Sequence, residues 1–129
     1  MRKYIGTKQI EAEPMTMGKA YERGLLKAGR VPGEAHKNDA GYHVKYNDGY
    51  ESWSPENPFE ETYRVADTFL DRLYIERNEL ADKIEKLGSF LQGEVFKKLG
   101  CKQQHLLNEQ YSTMCAYLTI LDERITLSK

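Results

Sequence analysis

The stretch ADTFLDRLYIERNELADKIEKLGSFL, residues 66–91, decides the fold. Ala66, Leu70, Leu73, Leu80, Ile84, Leu87 and Leu91 fall on a four-three spacing, the apolar seam of a helix that packs on another helix. Arg77 stands at the one seam position that should be apolar. Phe59, Tyr63, Phe69 and Phe90 flank the seam, and no Gly or Pro interrupts residues 59–87. At about 1.5 Å per residue this predicts one helix about 45 Å long. Gly88 and Gly93 are expected to loosen its end. Residues 94–99 read as one or two separate turns, with Gly100 as their cap.

A second helix is expected from about Lys102 to Leu127, with a stripe of Leu106, Leu107, Gln110, Met114, Tyr117, Leu118, Leu121 and Ile125. The short connection makes the two helices antiparallel neighbours. Leu87 then faces the region of Gln110, and Arg77 the region of Leu121. One helix pair buries one seam. The apolar positions off it, Phe69, Tyr74, Phe90, Leu106 and Ile120, predict self-association.

Upstream the periodicity changes. Residues 4–12 mix β-branched residues with an alternation from Lys8 to Ala12 that suits a strand, which Pro14 ends. Residues 15–24 read as a short helix with Thr16 as N-cap and Gly24 as stop. Residues 29–41 read as a loop. Tyr42, Val44 and Tyr46 alternate, Asn47-Asp48-Gly49 supplies a turn, and residues 50–53 return: a hairpin within a sheet of about three strands. Ser54-Pro55 marks the hinge, with Ser54 as a helix cap and Glu56, Glu60 and Glu61 near the positive end of the helix dipole. The chain thus divides into residues 1–54 and 55–129. The fold class is α+β, a small N-terminal antiparallel sheet followed by two long antiparallel helices that oligomerise.

The 129 residues suffice for one domain, or a small domain with an appendage. Hydrophobic residues make 40% and charged ones 30%, with a mean hydropathy of −0.72, which suits long exposed helices. No apolar run reaches a membrane span, and the opening residues lack a signal-peptide pattern. Two isolated cysteines read as reduced thiols in a cytoplasm. The net charge is −1, and neither half has the basic excess that a DNA or RNA groove needs. A small anion held by focused arginines remains compatible.

Enzyme signatures are nearly absent. His36, His43 and His105 are scattered, Cys101 and Cys115 lack a Cys-x-x-Cys partner, and no Gly-rich phosphate loop precedes a helix. The residues suggest no catalytic group, metal ligand or cofactor. The aromatic cluster Tyr42, Tyr46, Tyr50 and Trp53 reads first as an enlarged core for a thin sheet. Phe90 and Phe96 differ, because they sit where the long helix breaks, close to Gln92, Gln103, Gln104 and Asn108. Aromatic faces beside amides are what purine recognition requires. Arg77, interrupting a seam, needs a carboxylate such as Asp122 or Glu123, or an anionic ligand. Arg124 lies near the end of the second helix, where a cation also suits the dipole.

Residues 3–8, 14–16 and 41–55 resemble an N-terminal module common in small bacteriophage proteins. Residues 76–91, with Gln104-His105-Leu106-Leu107, Gln110, Met114 and residues 117–125, resemble a widespread phage helical-hairpin domain. Together they resemble the first-described Thoeris anti-defence family of phage sponge proteins. The resemblance implies a homo-oligomer, dimer or hexamer, in the host bacterial cytoplasm. It would bind nucleotide-derived signalling molecules between protomers without cleaving them: glycocyclic ADP-ribose isomers and, in some members, cyclic oligonucleotides. Phe90 matches the aromatic of the helix-break motif and Arg124 the arginine near the second helix's end, whereas Gly93 falls where a polar side chain is expected. The expected site places adenine on Phe90 or Phe96, the amides of Gln92, Gln104 or Asn108 on its edge, and Arg77 or Arg124 on phosphate. The alternative is a module that docks a host or phage protein through the exposed seam and the aromatic hairpin.

Overall fold

The computed structural model describes residues 1–129, which form two compact units, Met1–Tyr63 and Arg64–Lys129. In the first unit, β1 (Glu11–Pro14), β2 (Gly41–Lys45) and β3 (Glu51–Pro55) make an antiparallel sheet in the order β1-β2-β3. Two short helices, α1 (Met17–Glu22) and α2 (Glu56–Thr62), complete it. β1 starts later than the alternation from Lys8 suggests, because β2 offers only five residues and its last pair is Glu11 with Lys45. The hairpin forms around Gly49, whose φ of 90° is open to glycine at no steric cost. Asp48 Oδ1 accepts from the Tyr50 amide at 3.0 Å, fixing the return.

Thr16 caps α1 by accepting from the Lys19 amide at 3.3 Å. Gly24, at φ 72°, ends it: the Gly24 amide donates to Tyr21 and the Leu25 amide to Ala20, a Schellman pair. Val44 is buried on one face of the sheet, and Tyr42 beside it stacks on Phe59 of α2 at 4.1 Å. On the other face Trp53 lies flat against Gly41, where any Cβ would overlap the indole. Its Nε1 donates to the Met15 carbonyl at 2.7 Å, tying β3 to the entry of α1.

Two sequence expectations fail at the start of the helices. Ser54 is no cap. It pairs with Tyr42 inside β3, its hydroxyl donates to the Pro55 carbonyl at 3.4 Å, and Pro55 takes the N-cap position of α2 without a side-chain bond. The long helix from Phe59 is also two helices. α2 stops at Thr62, Tyr63 is extended, and α3 runs from Phe69 to Leu91. A capping box starts α3: Thr68 Oγ1 accepts from the Asp71 amide at 3.0 Å, and Asp71 Oδ2 from the Thr68 amide at 3.1 Å. The division expected after Ser54 therefore falls after Tyr63.

The second unit is α3, the single turn α4 (Glu94–Lys97) and α5 (Cys101–Ser128). α3 is about 35 Å long and α5 about 42 Å. The pair is antiparallel, with Leu73 packed on Leu121 and Ile125, supported by Leu70 and Leu80. Ala66, expected on the seam, lies outside α3 and is exposed. Gly88 does not loosen α3. It lies inside the helix, where its missing Cβ admits the Tyr111 ring. Gly100 is the N-cap of α5 rather than the stop of α4. Phe69, Tyr74, Phe90, Leu106 and Ile120 are exposed, as the narrow seam requires.

Gly41→Ala should destabilise the first unit by about 1–3 kcal/mol through overpacking against Trp53. Urea unfolding followed by the fluorescence of Trp53, the chain's single tryptophan, checks it. Thr68→Ala should reduce the stability of the helical unit by about 1 kcal/mol, measured by far-ultraviolet circular dichroism.

Candidate functional site

The break between α3 and α5 is built by residues that the sequence singled out. Gln92 is the C-cap of α3, its amide donating to the Ser89 carbonyl at 3.2 Å, and Gly93 is the N-cap of α4. Phe90 and Phe96 meet edge to face with centroids 6.3 Å apart, and Phe90 stays partly open to solvent. Gln104 has a different task from the one expected. Its Nε2 donates to the carbonyls of Phe96, Lys97 and Leu99 at 3.2, 3.3 and 2.8 Å, satisfying the C-terminal end of α4. That amide nitrogen is therefore engaged in holding the elbow. Asn108, one turn further along α5, is exposed.

The two arginines lie towards the other end of the hairpin. Arg77 Nε donates to Asp122 Oδ1 at 2.8 Å, and Nη1 to Asn78 Oδ1 at 3.3 Å. The hydrogen bond to Asp122 and its charge hold the guanidinium above its ordinary pKa. Asp122 is one of the two carboxylates expected to neutralise Arg77. Arg124 rests over the Phe69 ring at 5.8 Å, a cation–π contact. Near it the Tyr117 hydroxyl donates to Glu76, which raises the phenol's pKa, first through that hydrogen bond, then through burial and the Glu76 charge. Arg77 and Asp122 occupy one flank of the seam. Phe69, Glu76, Tyr117 and Arg124 occupy the other, by the helical positions of their contacts.

Arg77 and Phe90 are thirteen residues apart on one helix, about 20 Å along its axis. A single hairpin therefore presents two clusters, an aromatic-amide one at the elbow and a cationic one at the opposite end. A cavity of about 190 Å³ in this unit is lined by Arg64, Val65, Asp71, Tyr74, Ile75 and Asn78, of which the sequence marked only Tyr74, as an off-seam apolar position. In the first unit a shallow cavity of about 470 Å³ lies beside Glu13, Met15, Lys19, Arg23 and Gly41. The three histidines sit in three separate places: His36 on Asp39, His105 on Glu109, and His43 between Glu13 and Glu51. Sequence reasoning missed the His43 and Tyr117 contacts, because their partners are set by strand register and helix phase rather than by spacing along the chain.

Residues 67–127 match the family model Sequestin, a segment that takes in α3, α4 and nearly all of α5. No curated protein and no solved structure matches the chain. No helix is long and apolar enough to cross a membrane. The matched segment contains Arg77, Phe90, Gln92, Phe96, Gln104, Asn108 and Arg124 alike. Over nearly its whole length the helical unit is thus similar to the Sequestin family, the family of the Thoeris anti-defence sponges.

Proposed function

We propose that the protein is a nonenzymatic phage sponge that captures a nucleotide-derived second messenger of bacterial anti-phage defence in the host cytoplasm. Glycocyclic ADP-ribose isomers are the first candidates and cyclic oligonucleotides the second. The observation that carries this reading is the family match over residues 67–127. The geometry supports sites completed between copies. In a two-fold, antiparallel pair of hairpins, the Phe90 elbow of one copy lies beside the Arg77 and Arg124 end of the other. The exposed Phe69, Tyr117 and Ile120 supply apolar surface for such an assembly. Adenine then stacks on Phe90, the amides of Gln92 and Asn108 read its edge, and a guanidinium takes phosphate in short charge-assisted bonds.

Arg77 enters such a site only by exchanging Asp122 for phosphate, since the pair is formed in the free chain. Half-exposed pairs of this kind are worth about 0–1 kcal/mol, so the exchange is accessible. The competing reading is a module that docks a host or phage protein on Leu106, Tyr117 and Ile120, which are exposed on α5.

A thermal-shift panel of glycocyclic ADP-ribose isomers and cyclic di- and trinucleotides should raise the melting temperature with at least one ligand. A flat response across the panel favours the docking module. Recovery of unchanged ligand after heat denaturation of a loaded sample checks capture without turnover. Arg124→Ala should weaken capture by about 10–100-fold at unchanged helix content, the scale of one lost charge-assisted bond. Unaltered affinity by calorimetry removes Arg124 from the site. Asp122→Asn should tighten capture a few-fold where Arg77 contacts phosphate, whereas Arg77→Ala weakens it.

A further inference from the structure

The sheet of the first unit carries a charged ladder on one face. Register places Glu13 of β1 opposite His43 of β2, and His43 opposite Trp53 of β3. One pair further along, Glu11 faces Lys45, which faces Glu51. His43 Nδ1 lies 3.2 Å from Glu13 Oε1, and Nε2 lies 2.8 Å from Glu51 Oε1. Both ring nitrogens therefore point at carboxylate oxygens. An ionised carboxylate only accepts, and a neutral imidazole has one N–H to give. Only the imidazolium satisfies both contacts. In the neutral ring one nitrogen lone pair would face an anionic oxygen.

We propose that His43 is a protonation-dependent clasp, which as an imidazolium binds both outer strands to the middle one and on losing its proton loosens the sheet. The groups around it agree. Two carboxylates face the ring, Glu13 from β1 and Glu51 from β3. Of the cations nearby, Arg23, following α1, sits 3.6 Å from Glu13, and Lys45 stands in register between Glu11 and Glu51. The imidazole side chain is 18% exposed, so water screens these contacts only in part. The hydrogen bond to Glu13, then that to Glu51, raises the His43 pKa above its ordinary value, against a smaller opposing effect of desolvation.

The sign follows from linkage. A histidine whose folded pKa is raised contributes stability that is full below its unfolded pKa of about 6.5 and is lost as pH rises through the folded value. β1 is the strand most affected, since it is a four-residue edge strand whose side chains are all exposed. Glu13 also lines the shallow cavity with Lys19 and Arg23, so proton loss at His43 alters the charge balance of that wall. The clasp lies wholly in the first unit and does not depend on what the helical unit captures.

Two measurements on the full chain test it. A side-chain NMR titration of histidine should show His43 gaining its proton above the ordinary histidine range, and both Glu13→Gln and Glu51→Gln should lower that midpoint. Titration at or below the ordinary range overturns the proposal, and this readout stands even where a variant fails to fold. Urea unfolding followed by Trp53 fluorescence should give a lower midpoint at about pH 9 than at about pH 6. In His43→Gln that fall should vanish. A fall of equal size in His43→Gln overturns the clasp.

Discussion

The packing of Leu73 on Leu121 and Ile125 is the constraint from which the helical unit follows. It fixes the axial offset of α3 against α5. That offset brings Arg77 to Asp122, Glu76 to Tyr117, and Gly88 to Tyr111. It also limits what one chain can bury, because two helices share a single interface and leave their outer faces wet. The wide spread of half-buried residues along both helices is the visible result. A long hairpin of this kind separates its two ends by most of its length. Functional groups at those ends can cooperate on one ligand only when another copy closes the gap, and the proposed sponge uses that property.

The sheet unit solves a different problem with the same economy of core. Only Met15, Met17, Ala20 and Val44 are buried hydrophobics there, so its order depends on close approaches and hydrogen bonds. The indole of Trp53 over Gly41, the Tyr42–Phe59 stack, and the carboxylates around His43 each join elements that are distant in sequence. Tyr42 adds one more link through its hydroxyl, which donates to Glu60 at 2.7 Å. Small units gain much from such contacts, since their surface is large for their volume.

The fold class and most elements were legible in the sequence. The Asn47-Asp48-Gly49 turn, the Thr16 cap, the Gly24 stop and the four-three seam each encode local geometry directly, and each forms as read save that the seam begins after Ala66. The break at residues 63–68 was not legible from punctuation, because neither Gly nor Pro marks it. It rests on a capping box that was overlooked, Thr68 with Asp71, and on Phe59 being drawn to Tyr42 rather than into the hairpin. Ser54 has the chemistry of a cap but is claimed by strand pairing with Tyr42. At the candidate site, Phe90, Phe96 and the Arg77–Asp122 pair fell where spacing put them. The role of Gln104 did not, because the carbonyls it satisfies arise only once α4 has turned back. The ladder at His43 depends on register across three strands, which no local pattern encodes.

The start signal of α3 has a consequence for inheritance. Thr68 and Asp71 begin the helix with their own side chains and borrow nothing from the residues before Tyr63. A recombination joint within residues 64–67 would cut no strand, no helix cap and no seam position that the structure uses. Genomes that trade segments can therefore fit this hairpin behind unrelated leading modules, and evolve the two halves at different speeds.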